Sequence, residues 1–346
     1  QGIKSRRRCS PPPLVSPLVL GAMAEVAPPG HPFRGLSVSF LTSGLPADLC
    51  VQDDEKVYDI EPRIRAKGEG VLCPRDGKPG AAYVDVADDA LAGYSTIMLS
   101  YTWGYLVLDI ISALNCYCRT RGLSPEDLRV WICCLCVNQF RVQEAQSLGT
   151  AISFEEFQAT FGQRVTGIRS VVAMLRPWRD ALYIKRVWCL FEAWTATNTT
   201  GCDLEFILTD SEANNFRDSL RQTGLDDVWR TLGNIRVQDS QASMPQDREN
   251  IMALVRSSEG GEAGLNSALI QRLQSWFVNT AATHLQPTLK LGEGAHPGTS
   301  KLCVALAGFY VDLGCLEDAT SLIEQGRGLC EAAAKSASPE QQADFR

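Results

Sequence analysis

Three apolar runs between Tyr94 and Trp194 each end in a polar or acidic cluster, and the chain is organised around them. They are Ser95-Thr-Ile-Met-Leu-Ser-Tyr-Thr-Trp-Gly104, Arg129-Val-Trp-Ile-Cys-Cys-Leu-Cys-Val-Asn-Gln139, and Ile168 to Pro177 leading into Arg186-Val-Trp-Cys-Leu-Phe-Glu192. Apolar runs of this length, separated by helical patterns, predict buried parallel strands alternating with helices. Leu106 to Arg119 has apolar Leu106, Ile110, Ile111, Leu114 and Tyr117 at helical spacing and closes near Gly122. A strand is expected over Val130 to Val137, a helix over Phe154 to Arg164, a strand over Ile168 to Leu175 and a helix over Lys185 to Thr197. Asp203 to Leu208 reads as a further strand, Ser211 as the cap of the next helix, and Ile235 to Val237 as a short fifth strand. Helices follow over Asp247 to Val255 and Leu265 to Thr283. This alternation predicts a doubly wound, mostly parallel α/β sheet, with function at the carboxyl ends of its strands.

Around this core, residues 1 to 89 read as a leader followed by an irregular extension, with strand candidates only at Ser37 to Leu41 and Ala82 to Val86. The leader holds Arg6-Arg-Arg8, a triple proline and a short apolar segment, Leu14 to Ala24, a composition that suits a disordered segment better than a signal peptide. The α/β domain spans 90 to 285. Residues 286 to 300, with Gly292, Gly294, Pro297 and Gly298, read as a linker. In 301 to 346, small residues at Ala307, Ala319 and Gly326, with Tyr310 and Gly314 between, suit two closely packed antiparallel helices. This pattern resembles a tetratricopeptide (TPR) repeat, which implies a peptide or protein partner. One repeat cannot cover its own apolar face, so the pair is expected either to continue into further repeats or to pack on the α/β domain.

A chain of 346 residues, 45% hydrophobic and 21% charged, can bury a full core and hold more than one folding unit. Its net charge of -7 argues against nucleic acid as a partner, and no apolar run is long enough to predict a membrane span. Thirteen cysteines, several inside apolar runs, read as reduced and buried, as in a cytoplasmic protein. The three histidines, His31, His284 and His296, all lie outside the central stretch, so a Cys/His or Ser/His nucleophilic site there lacks its base. Cys133, Cys134 and Cys136, placed on a strand, would face alternate sides with no histidine near them, so no metal site is expected.

Leu99-Ser-Tyr-Thr-Trp-Gly104 with Trp131-Ile-Cys-Cys-Leu-Cys-Val-Asn-Gln139 resembles the paired hallmark of heterokaryon-incompatibility (HET) domains, Leu-Ser-Tyr-x-Trp-Gly and Trp-Ile-Asp-x-x-Cys-Ile-Asn-Gln. Trp188-Cys-Leu-Phe-Glu192 resembles the Trp-Cys-x-x-Glu segment of the related Toll-interleukin receptor (TIR) domains. The three matches fall in the right order over about 100 residues. The resemblance implies that Glu192 is the catalytic residue of an NAD-cleaving enzyme, stabilising the positive charge that builds on the ribose, with NAD as substrate and no cofactor required. It also implies that Ser100, Tyr101, Trp103 and Gly104 line the nucleotide pocket together with Asn138, Gln139 and Trp188, and that the domain self-associates. Cys133 departs from the pattern, which has Asp there and so a carboxylate that this chain lacks. The alternatives are structural: an ion pair of Glu192 with Arg186 or Arg179, tryptophans in the core, Asn138 and Gln139 closing a strand, and a non-enzymatic scaffold as the function.

Overall fold

The computed structural model describes residues 26–150, 153–291, 297–312 and 315–336. The leader before residue 26, together with Gly292, Gly294, His296 and Gly314, lies outside them. Two compact units emerge, one holding the described residues up to Glu212 with Ile235–Ile270, the other Ala213–Asn234 with the described residues from Gln271 onward.

The first unit is built on a six-stranded mixed sheet. Its strands are β1 (Arg34–Ser37), β2 (Ala92–Tyr94), β3 (Ile97–Ser100), β4 (Arg129–Ile132), β5 (Ser170–Met174) and β6 (Asp203–Ile207), in the order β2-β1-β4-β3-β5-β6. Strands β3 to β6 run parallel, while β1 is antiparallel to both β2 and β4. The stretch read as an irregular extension therefore supplies a strand of the sheet, with helices α1 (Leu45–Asp48), α2 (Val57–Gly68) and α3 (Tyr83–Val86). Arg34, fully buried, ties this part together: its guanidinium donates to the carbonyls of Ala27 and Val84 and meets Asp89 at 2.7 Å. Gly35 is required by close approach, because a Cβ there would lie 2.6 Å from the Val130 carbonyl oxygen.

Registered partners on parallel strands share a face, which locates the helices. Met98 pairs with Trp131 and Val171, and Ser100 with Ala173. On this face Trp131 lies under the Arg164 guanidinium of α7 (Phe154–Ile168), and Ser100 bonds Glu192 of α8 (Val187–Asn198). Val172 and its partner Glu205 point the other way, where Glu205 meets Tyr117 and Arg121 of α4 (Val107–Arg121) at 3.2 and 2.8 Å. Helices thus cover both faces, as right-handed crossovers require when β4 and β5 flank β3 on opposite sides. Helix α4 ends where its sequence signals, at Gly122 with φ 64°.

Several local expectations are corrected. The run Val130 to Val137 leaves the sheet after Ile132 and closes a helical turn, α5 (Cys133–Cys136): the Val137 N–H donates to the Cys133 carbonyl, and the Ile132 N–H to the Cys136 thiol. A buried apolar run has no period to distinguish the two conformations. Likewise Ala82 to Val86 is α3 rather than a strand. β1 stops at Ser37, whose hydroxyl accepts from the Phe40 N–H as the chain turns into helix. Val237–Asp239 forms a 3-10 turn in place of a strand.

The remaining helices are α6 (Gln139–Leu148), α9 (Asp210–Thr223), α10 (Asp226–Gly233), α11 (Pro245–Ser257), α12 (Gly261–Leu291), α13 (Pro297–Asp312) and α14 (Leu316–Ser336). The cap of α9 is Thr209, whose hydroxyl accepts from the Glu212 N–H at 3.1 Å, rather than Ser211. The supposed linker is largely helical, since α12 runs to Leu291 and Pro297 opens α13, where proline's missing N–H costs nothing. In the second unit Phe216 packs on Phe277 at 5.5 Å between ring centroids. There α13 and α14 form a helical pair whose contact depends on Gly326, as a Cβ would fall 2.8 Å from that of Cys303.

Gly35→Ala is expected to destabilise the first unit by about 2 kcal/mol or more, because backbone must shift. Gly122→Ala should cost only about 1 kcal/mol, the left-handed conformation being the sole penalty. Urea denaturation of the two variants against the parent protein measures both.

Candidate functional site

The parallel strands lie in the order β4-β3-β5-β6, so the connections leaving β3 and β5 run to opposite sides of the sheet, and the carboxyl ends of these two strands mark the position at which open α/β sheets place a ligand. Ser100 is the last residue of β3 and is fully buried. Its hydroxyl bonds the Glu192 carboxylate and lies 2.9 Å from the Tyr183 hydroxyl, which in turn donates to the Cys189 carbonyl at 3.0 Å. Ser100 and Glu192, candidates from the sequence, therefore meet. Neither Arg186 nor Arg179 pairs with the glutamate: Arg186 reaches Ser243 at 3.0 Å, and Arg179 stacks on Trp178. Tyr183 is a partner that the sequence did not reveal.

Hydrogen-bond arithmetic bears on the protonation of this chain. Three contacts join Glu192, Ser100, Tyr183 and the Cys189 carbonyl, and each needs a proton. Two hydroxyls supply two. As the contacts stand, Ser100 donates to the Glu192 carboxylate and Tyr183 to the Cys189 carbonyl; a proton on Glu192 would supply the third hydrogen and let the series run in one direction. With Glu192 ionised, one contact is left without a hydrogen. The electrostatics agree. Protein packed around the carboxyl strips its solvation and pushes its pKa up to about 8, against the opposing pull of the Ser100 hydroxyl.

Among the described residues no neighbour supplies a compensating positive charge. Cys133 carries a thiol pushed up to about 11, first by burial and then by the nearby Glu192. Burial likewise holds the Tyr101 and Tyr183 hydroxyls and the Cys189 thiol well above their ordinary values. All four are neutral at pH 7, so neither cysteine is a thiolate nucleophile.

The other candidates divide. The Trp103 indole N–H donates to the Cys133 thiol at 3.3 Å, and that thiol meets the Tyr101 hydroxyl at 3.4 Å. Trp103 also takes Tyr58 edge-on, with ring centroids 5.5 Å apart. Gln139 donates to the Cys133 carbonyl at 3.1 Å and so secures the turn that presents this thiol. Gly104 belongs to the turn after β3, its N–H on the Thr102 hydroxyl at 3.2 Å. Two candidates sit elsewhere. Asn138 is buried as the cap of α6, accepting from the Arg141 N–H and donating to the Gly80 carbonyl at 2.9 Å. Trp188 belongs to an aromatic cluster with Phe157, 4.7 Å away, and Phe191, and its indole N–H points to Asp247. Among the described residues no group of three or more His, Cys, Asp or Glu is placed to hold a metal ion.

The sign of the Glu192 shift makes a stability prediction. The folded protein holds this proton up to about pH 8, whereas the unfolded chain releases it near 4.5. The stabilising contribution is complete below the unfolded value and is lost as pH rises through the folded one. Against Glu192→Gln, whose amide can donate to Ser100 at every pH, the parent protein should lose stability between pH 5 and 8. The slope should reach up to about 1.4 kcal/mol per pH unit. Denaturant titrations of both proteins across that range measure the difference; a flat difference would mean that Glu192 is already ionised. The chain matches no protein-family model, no curated protein and no solved structure.

Proposed function

We propose that the sheet-containing unit is a HET/TIR-like domain that binds NAD and hydrolyses its nicotinamide–ribose bond, with Glu192 stabilising the ribosyl cation. The observation that carries this reading is the Glu192 carboxyl, set on Ser100 at the carboxyl end of the central strand, where the strand connections diverge, with no arginine partner among the described residues. A carboxyl group claimed by a salt bridge would be unavailable to a reacting sugar. The helices on both faces and the parallel core of the sheet support the doubly wound assignment. In the reaction the bond from the ribose C1′ to the pyridinium nitrogen breaks, its electron pair neutralises the ring, and water adds at C1′ and releases a proton to solvent. The cation that forms needs an ionised carboxylate. Glu192 must therefore lose its proton before or during binding, and the positively charged nicotinamide ring favours that loss. Ser100, Tyr101, Trp103 and Gly104 would border the nucleotide, and no cofactor is needed.

A second reading rests on the helical pair. Helices α13 and α14 leave Val304, Val311, Leu316 and Ile323 exposed, Val304 at 62%. A TPR-like pair with an uncovered apolar stripe suits a peptide or protein partner, and a self-associating scaffold would use the same parts without chemistry. No disulfide joins the described cysteines, and no helix among the described residues is long and apolar enough to cross a membrane. A reducing, cytoplasmic setting is part of this proposal.

Purified full-length protein, assayed at high concentration, should release nicotinamide from NAD. Glu192→Ala and Glu192→Gln should each lower kcat/KM by about 100-fold or more. In the parent protein kcat/KM should rise with pH and level off above about 8, the free-enzyme value for Glu192. Nicotinamide release that survives in Glu192→Gln would reject the catalytic role, and its absence from the folded parent would leave the scaffold reading.

A further inference from the structure

The second unit contains a basic cleft that the proposed chemistry does not use. Along α9, Arg217, Leu220 and Arg221 stand three and four residues apart and so share one face. They line a small cavity with His284 and Leu285 of α12 and Thr299 and Leu302 of α13. The three leucines are buried. Its polar lining is two guanidinium groups, an imidazole and a hydroxyl, and no carboxylate is among the described lining residues. In a chain of net charge -7 this is a local reversal of sign.

The partners of the two arginines leave them available. Arg217 reaches Asn214 and, at 3.5 Å, the Ala213 carbonyl, both within its own helix; Arg221 meets Asp218 at 3.4 Å in an exposed pair. Such surface contacts are worth little and are exchanged readily. The cavity measures about 50 Å³. By the same measure one water needs about 10–15 Å³, so the space can seat a single tetrahedral oxyanion.

From these observations we infer that this cleft binds a phosphate-class oxyanion, either the free ion or the terminal phosphoryl group of a small ester. Arg217 and Arg221 supply the forked donors that match tetrahedral oxyanions, and Thr299 adds a hydroxyl donor. His284 makes the binding pH-dependent. Burial, and then the charges of Arg217 and Arg221, hold its pKa below the ordinary value. Among the described lining residues, those of α13, Thr299 and Leu302, do not titrate. An anion between the three groups offsets the repulsion and favours the imidazolium, so affinity rises as pH falls.

Calorimetric titration of the full chain tests this. Inorganic phosphate should bind, and the double variant Arg217→Gln/Arg221→Gln should lose about tenfold or more in affinity. Both side chains are exposed, so the variant keeps its fold. Glycerol 3-phosphate binding more tightly than phosphate would identify a terminal phosphoryl group as the ligand, and equal affinity would identify the free ion. Sulfate, which stays dianionic, serves for the pH series. Its affinity should increase from pH 7.5 to 5.5 in the parent protein and stay flat in His284→Gln. No phosphate binding, or affinity unchanged in the arginine variant, would overturn the site. A pH dependence that persists without His284 would remove that residue from it.

Discussion

A carboxyl group crowded away from water, with hydroxyls rather than cations for neighbours, is the constraint on which the site depends. Glu192 lies at the end of a chain of polar groups that is complete only when the carboxyl carries a proton. Ser100 and Tyr183 are each committed on both sides, and the Cys189 carbonyl closes the series. Because a buried polar group without a partner costs about 1–3 kcal/mol, burial and the count of hydrogens both favour the neutral acid. Proton loss at Glu192 therefore couples to a rearrangement of Ser100 and Tyr183, or to the arrival of positive charge beside it.

The sheet makes this arrangement possible. Even-numbered positions of β3 face α7 and α8, so the last of them, Ser100, emerges beneath the first turns of α8 at the point where connections diverge. Immediately after β4, the helical turn of α5 brings the Cys133 thiol toward Trp103 and Tyr101. A thiol there keeps the surroundings of Glu192 neutral. An aspartate at the same position would place a second carboxylate beside it, and two such groups seldom ionise together. The departure of Cys133 from the HET pattern thus has a local electrostatic meaning whatever the domain does.

Much of this was legible in the chain because it rests on period and on local chemistry. The helical spacing from Leu106 to Tyr117 and the glycine at 122 marked α4, and the polar ends of the apolar runs marked Ser100 and Glu192. Other features depend on tertiary context that no local pattern records. The cysteine run of α5 is as apolar as a strand, and only hydrogen bonds within the turn decide its conformation. Asn138 looked like a ligand because it follows a strand, yet capping α6 and bonding Gly80 consume its amide. Trp188 is drawn into an aromatic cluster by residues of α7, some thirty positions earlier in the chain. Tyr183 lies in a non-periodic segment and meets Ser100 across 83 residues, a contact that neither composition nor spacing signals.

The most direct test of this account is the infrared difference spectrum between the parent protein and Glu192→Gln, recorded as a function of pH. A protonated carboxyl absorbs in a window clear of carboxylates and amides, and the variant removes one such group. The account predicts a carbonyl band assignable to Glu192 that persists through neutral pH and disappears with a midpoint near 8. A carboxylate band already present at pH 6 would contradict it, and with it the proton chain through Ser100 and Tyr183.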